Sequence, residues 1–342
     1  MLMAEQWLDL SDFQPEELSF QIVRQLVKDL KEAKFKPSGT VQEFFNKLGI
    51  DFSKQLGLDT VEVGGDPLLK VTFKNELVPY DVRRHFRELL QGQLPRIYDL
   101  VNGKLMKDAR AWLARAQNVD DILIIVDEID RTPRLGENHE DLFIGRAGIL
   151  RALDCHVLYT MPIDLVYSPR QQVLSDIYGT EILTLPVMPV LRPSGAINAD
   201  GHKAMREIVY KRATAAQFKV TDIFESEDLL DDVLSASGGQ VRTLIVLLRS
   251  MLNRVAALPI TKQTVERDLR ERASMLSRPL SRNDWSVLKQ VHSTKRPVNG
   301  GNSEIWNRLL RDSYVLTYYD DEELDWYDWD PVLTYVNARS RS

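Results

Sequence analysis

The sequence predicts an α/β protein: a parallel sheet flanked by helices, then an all-helical region, then a small terminal domain. Three observations carry this. Apolar runs of strand length alternate with amphipathic stretches through the first half of the chain, the pattern of a sheet crossed over by helices. The strongest run, Ile122-Leu-Ile-Ile-Val126, has no polar interruption, as expected of a strand covered on both faces in the middle of a parallel sheet. From His202 only helical periodicity follows, until composition changes after Leu280.

The elements follow in order. Met1 to Met3 reads as the tail of a strand, and the polar residues to Asp12 as its exit loop. Residues 16–34 carry apolar positions at Leu18, Ile22, Val23, Leu26, Val27 and Leu30, a helical period ended by Lys36-Pro-Ser-Gly39. Residues 40–48 read as a second, short helix. Val61-Glu-Val63 and Leu68-Leu-Lys-Val-Thr-Phe73 form either a small hairpin around Gly64-Gly65 or an ordinary surface insertion. Residues 79–116 are helical, broken near Pro95, with Arg83, Arg84, Arg87 and Glu88 as a solvated face. After the Ile122 strand come a polar loop with Arg131-Thr-Pro-Arg134, a helix over 140–153, and a strand Cys155-His-Val-Leu-Tyr-Thr160. His156 in that strand reads as a core histidine. Ser168-Pro-Arg170 opens a short helix, and Ile182-Leu-Thr-Leu-Pro186 reads as the third main strand. Helices are expected over 202–218, 226–235, 240–258 and 261–273.

Composition narrows the function classes. With 342 residues, 44 % of them hydrophobic, the chain can bury one large core and a smaller one. A net charge of -6 gives no general attraction for nucleic acid. The single cysteine, Cys155, excludes an intramolecular disulfide framework and fits a reducing compartment. No apolar run reaches the ~18 residues of a membrane span, and no signal pattern opens the chain. The expectation is a soluble, cytoplasmic protein with no membrane partner.

The candidate chemistry gathers at strand ends. Ligands of parallel sheets collect at the carboxyl ends of the strands, and Asp127 and Glu128 directly follow the Ile122 run. A carboxylate there can hold Mg²⁺, a small hard cation that prefers oxygen ligands and keeps its waters; the next acid can orient or deprotonate an attacking water. The bland alternative is an acidic turn after a buried strand. Thr160 ends the following strand at the same edge, either with a role there or capping the Met161-Pro162 turn. Arg170 begins the next helix. Farther on, Ser237-Gly-Gly-Gln-Val-Arg242 starts a helix with the apolar stripe Leu244, Leu247, Leu248 and Met251, placing Arg242 one turn in. Gly238 and Gly239 permit close backbone approach, or simply make a turn.

On these residues the chain resembles the AAA+ superfamily of P-loop ATPases, on the side of the origin-recognition and STAND-type members. It is most similar there to uncharacterised bacterial ATPases with a Leu-Asp-Leu-Ser-Asp segment, here residues 8–12, after the second strand. The resemblance implies Walker B at Asp127 (Mg²⁺) and Glu128 (catalytic), sensor 1 at Thr160, sensor 2 at Arg242 with Gly238 and Gly239, and an arginine finger at Arg170. It implies ATP and Mg²⁺ as ligands. It divides the chain into an ATPase core over 1–190, a helical lid over 191–278 and a winged-helix-like domain over 279–342.

One departure is large. The sequence contains no Gly-x-x-x-x-Gly-Lys-Ser/Thr, the loop whose backbone N–H groups and lysine cradle phosphates. In the resembled family the first strand, that loop and its helix precede the second strand, where this chain opens. The expectation is therefore an ATPase lacking its amino-terminal segment and inactive as it stands. The missing strand would lie between those matching 182–186 and 155–160, leaving unpaired N–H and C=O groups beside it.

The terminal segment reads as the N-capped helix from Ser281, a second helix over 304–311, and strands at Val315-Leu-Thr-Tyr-Tyr319 and Trp326-Tyr-Asp-Trp329. Acids such as Asp325, Asp328 and Asp330 oppose DNA contact through this wing. Trp326, Tyr327 and Trp329 either meet a protein partner or pack the small domain. Two function classes stand: an ATP-driven switch that also associates through its core, or a non-enzymatic scaffold or DNA-binding regulator working through the 304–311 helix.

Overall fold

The structure is a computed structural model that describes residues 2–3, 8, 13–55, 80–131, 138–298, 303–320 and 324–336. The expected hairpin at 61–73 and most of the loop after Arg131 lie outside them. The chain divides into two compact units, Met1–Ile182 and Leu183–Ser342.

The first unit opens with β1 (Leu2–Met3), α1 (Pro15–Glu32) and α2 (Gly39–Gln55). Pro15 starts α1 at a position where the missing N–H costs nothing, and the backbone N–H of Gln14 donates to Glu17 Oε2 at 2.8 Å. Leu18, Ile22, Val23, Leu26, Val27 and Leu30 are all buried, the face its period predicts. Glu16 and Glu17 are buried too, held by Arg146 Nη1 at 2.6 Å and Arg87 Nε at 2.8 Å. Burial raises the Glu17 carboxyl above its ordinary value against the pull of Arg87. The expected solvated face at 83–88 is thus corrected. Arg84 and Glu88 are solvated, but Arg83 is buried and Arg87 reaches Glu17.

The long helical region is α3 (Tyr80–Leu100), a π-helical turn (Val101–Leu105) and α4 (Met106–Ala116). The irregularity sits after Pro95, not at it; the helix runs through the proline. Then come β2 (Leu123–Asp127), short helical turns between Asn138 and Leu150, β3 (His156–Tyr159) and α5 (Gln171–Tyr178). The three strands form one parallel sheet in the order β1-β2-β3, with Leu2 opposite Val126 and Ile125 opposite Leu158.

Two expectations about this sheet are corrected. Among the described residues, covering reaches only one face. Leu123 and Leu158 are 60% and 50% exposed, and His156, expected in the core, has a 76% exposed side chain 3.4 Å from Asp121. These residues alternate with packed Ile124, Val157 and Tyr159, so the unmet side is a face rather than a frayed end. The segment 182–186 forms no strand, and Leu183 and Leu185 are 83% and 91% exposed. A strand exists only by pairing, and among the described residues no strand of the sheet pairs with this segment.

The described residues of the second unit are mainly helical, with one hairpin among them. Its helices are α6 (Ala199–Ala215), α7 (Glu227–Ala236), α8 (Val241–Arg254), α9 (Lys262–Ser277), α10 (Arg282–Thr294) and α11 (Ser303–Arg311). Asn198, Thr261 and Ser281 cap three of them through side-chain oxygens, each satisfying an orphan N–H. β4 (Val315–Asp320) and β5 (Leu324–Trp329) pair antiparallel, with Tyr318 opposite Trp326. A 3-10 turn, Pro331–Tyr335, follows and packs on α9. The segments expected as lid and terminal domain therefore belong to one unit. Tyr318, Trp326, Tyr327 and Trp329 are buried, with Tyr318 stacked on Trp326 at 4.2 Å and Trp306 edge-on to Tyr327 at 5.4 Å. These rings pack the unit's interior. Among the described residues no helix is long and apolar enough to cross a membrane.

Candidate functional site

β2 and β3 deliver three of the sequence-derived residues to one edge. Val126 stands opposite Tyr159, and the Thr160 N–H donates to the Val126 carbonyl at 3.1 Å. Pairing thus continues to the last residue, and Asp127 and Thr160 end adjacent strands side by side. The apolar run must stop here, but Ile129 still buries completely. The chain turns between them at Glu128, which adopts φ 72°, the left-handed region that a residue with a Cβ enters at a cost on the order of 1–3 kcal/mol. Glu128 is buried, 3% exposed.

The Glu128 N–H donates to Asp127 Oδ1 at 2.8 Å, which fixes the carboxylate against its own turn. Thr160 Oγ1 donates to Asp130 Oδ1 at 3.1 Å. Asp130 has no role assigned from the sequence, yet it joins the site because the 3-10 turn Ile129–Arg131 brings it back over the strand ends. Its signal was the Asp-Glu-x-Asp spacing. The edge therefore offers Asp127, Glu128 and Asp130 with one hydroxyl between the strands.

Arg170 stands at the start of α5, with Nε 3.4 Å from Glu140 Oε2 and a 56% exposed side chain. Its partner is Glu140, not an acid of the strand edge. Gly238, Gly239 and Arg242 belong to the second unit. Gly238 and Gly239 have φ 60° and 81°, and a Cβ on Gly239 would sit 1.7 Å from the Met188 carbonyl oxygen. The Gly238 carbonyl accepts from the buried Tyr318 hydroxyl at 2.9 Å. Their close backbone approach is thus to residues 187–188 and the hairpin of their own unit. Arg242 is exposed in the first turn of α8.

The oxygen donors at the strand edge suit a hydrated Mg²⁺ that completes its shell with water and substrate oxygens. They do not form a closed cage: among the described residues no group of three or more His, Cys, Asp or Glu side chains is placed to hold a metal by itself. The fit is to a metal that arrives with a ligand. Cys155, one residue before β3, is no candidate nucleophile, since burial pushes its thiol up to about 11.

Compared with known protein families, with curated proteins and with solved structures, the chain matches none.

Proposed function

We propose that the carboxyl edge of β2 and β3 is the metal-and-water end of a nucleotide site, in an ATP-driven switch of the AAA+ kind. On this reading the first unit is an incomplete P-loop ATPase core, and α10, α11 and the hairpin are a winged-helix-like module. The observation that carries it is Glu128. A buried glutamate held in a strained turn, directly after a parallel strand and beside an aspartate and a threonine, is costly unless its position is used. In the proposed roles Asp127 holds Mg²⁺ through water and Glu128 orients the attacking water. Strand order supports the same reading. β3 is an edge strand among the described residues, and its open side is where the resemblance puts the absent first strand.

The reading requires a phosphate cradle that the 342 residues do not contain. The chain alone should show no ATP binding by calorimetry at micromolar concentration. In a form carrying a strand, phosphate loop and helix ahead of Met1, ATP should be hydrolysed. There Glu128→Gln should abolish turnover and keep ATP bound, because the amide accepts a hydrogen bond but cannot serve as a base. Unchanged turnover in that variant removes Glu128 from the mechanism; micromolar ATP affinity of the chain alone removes the need for the cradle. Arg242→Ala in the longer form should weaken ATP more than ADP, since its planar fork would pair oxygens of the terminal phosphate. Equal losses would end its assignment as a sensor.

A scaffold reading has one observation in its favour, the bare apolar sheet face at Leu123 and Leu158. A DNA regulator reading through α11 has less. Arg308 is committed to the buried Asp284 and Arg311 pairs with Asp312 at 3.0 Å.

A further inference from the structure

Helix α8 buries Leu244, Leu247, Leu248 and Met251, and its other side is built unlike a solvated helix face. Val241, Val246 and Leu252 are each 43% exposed there, and Ile245 is half-buried. Arg242 and Arg249 are exposed on the same side. The helix contains no acidic residue. A face turned to water ordinarily mixes polar and charged side chains of both signs and keeps apolar ones scattered.

These two arginines differ from others of the same unit. Arg206 pairs with Glu227 at 2.8 Å, Arg267 with Glu271 at 2.9 Å and Arg254 with Asp268 at 2.6 Å. Arg242 and Arg249 make no ion pair among the described residues, in a chain whose 50 acidic residues outnumber its 44 lysines and arginines. At about 100° and about 1.5 Å per residue, their spacing in sequence puts them nearly in line and about 10 Å apart. The same helical count puts Val241, Ile245 and Leu252 along one flank of that line and Val246 along the other.

That arrangement selects the partner. A membrane surface suits a helix whose cations rim the apolar stripe and reach the headgroups. Here the cations run up the middle, where lipid would hold them in hydrocarbon without partners. A carboxylate fits better, since the planar guanidinium fork binds both of its oxygens and apolar contacts on either flank keep water from the pair. We propose that the exposed face of α8 docks an acidic amphipathic helix of a partner protein. Two carboxylates of that helix, at the spacing of Arg242 and Arg249, meet the arginines, and its apolar side chains cover Val241, Val246 and Leu252. The inference does not rest on the nucleotide reading. The two claim Arg242 for different anions, a terminal phosphate or a partner's carboxylate, so the test is placed on Arg249 and Leu252.

The test uses the full chain and three alanine-based helical peptides. The first carries a leucine stripe with two glutamates in it at the spacing of the arginines; the second has lysines for the glutamates, and the third has serines for the leucines. By fluorescence anisotropy the first should bind at least about tenfold more tightly than either of the others. Arg249→Glu should abolish the preference for glutamate over lysine, and Leu252→Ser should weaken the first peptide at least about fivefold. Both positions are exposed, so neither change costs the fold. Failure of the first peptide to bind at millimolar concentration, or a preference that survives Arg249→Glu, overturns the proposal. Binding to phosphatidylglycerol vesicles that Leu252→Ser abolishes assigns the face to lipid, and concentration-dependent dimerisation that Leu252→Ser abolishes assigns it to a second copy; either result overturns the partner helix.

Discussion

The parallel sheet of the first unit and the hairpin of the second both carry large apolar side chains and hold them differently. Leu123 and Leu158 leave half or more of their surface in water, while Tyr318 and Trp326 leave 4% each and Trp329 6%. Strand composition would rank them the other way, since β2 is an unbroken aliphatic run and β5 alternates aromatics with acids. The difference is in what stands opposite. Helix α10 lies against β5, α11 against β4, and Pro331–Tyr335 against α9, and the rings of Tyr318, Trp326, Tyr327 and Trp329 are buried. The acids are absorbed as well: Asp328 is held by Lys295 Nζ at 2.5 Å and His292 Nδ1 at 2.7 Å. Among the described residues, β2 and β3 have α1 and the 141–150 helical turns on one side. Burial follows the neighbours that exist, not the hydrophobicity that asks for them.

The largest way to break the comparison is to open the hairpin's surroundings. Gly239→Ala puts a Cβ into the Met188 carbonyl and onto a left-handed φ. Backbone cannot move aside as a flexible side chain does, so the cost should exceed about 4 kcal/mol. The measurement is denaturant unfolding followed by tryptophan fluorescence, with Trp285, Trp306, Trp326 and Trp329 in the second unit. A midpoint like that of the parent chain would show that Gly239 does not lie on Met188. Trp329→Ala comes next, at about 3–5 kcal/mol for a buried large ring. It also releases His292, stacked on that ring at 4.1 Å.

The hairpin's cover also predicts a pH dependence. Burial pushes the Asp330 carboxyl up to about 6, although the Val332 N–H and Arg272 act against the shift. The folded state therefore holds a proton that the unfolded chain releases between pH 4 and 6. The stabilisation from this group is fully present below about pH 4 and is lost as pH rises through 6. Its size is on the order of 2–3 kcal/mol. Asp330→Asn keeps an oxygen for the Val332 N–H, which donates to Asp330 Oδ1 at 2.9 Å, and carries no charge. The variant should be more stable than the parent at pH 7 and indistinguishable from it at pH 4. A constant difference across that range would remove Asp330 as the titrating group.

Much of this was legible in the chain. The apolar stripes of α1 and α8 and the caps at Ser281 and Thr261 are local, and local physics places them. β2 and β3 were legible because each apolar run has a strand to pair with. The strand at 182–186 was not, because a strand is a relation and among the described residues no strand pairs with that segment. The cover of the Ile122 run failed likewise: an aliphatic run reports that burial would be favourable, not that an element is there to supply it. In the site, Asp127, Glu128 and Thr160 were found from position at strand ends. Asp130 was missed because its arrival depends on the turn that Ile129 forces by burying. Gly238 and Gly239 were read as glycines permitting close backbone approach to a nucleotide, or simply a turn; the group that approaches Gly239, the carbonyl of Met188, lies some fifty residues away and leaves no mark in the local sequence.

The smallest expected effect is the sharpest test of the comparison. Leu158→Thr removes an apolar side chain from the strand next to β2 and keeps a β-branched residue suited to a pleated edge. In a covered sheet this change would bury a hydroxyl and lose packing, at about 2 kcal/mol or more. On the bare face that β3 presents, the leucine is already 50% exposed, so the change should lie within about 0.5 kcal/mol of the parent in denaturant unfolding. It should also reduce self-association, since exposed apolar side chains on an edge strand template pairing between copies. Sedimentation at increasing concentration reads that second effect. A cost near that of Trp329→Ala would mean that Leu158 is covered in solution, and the contrast between the two sheets would disappear.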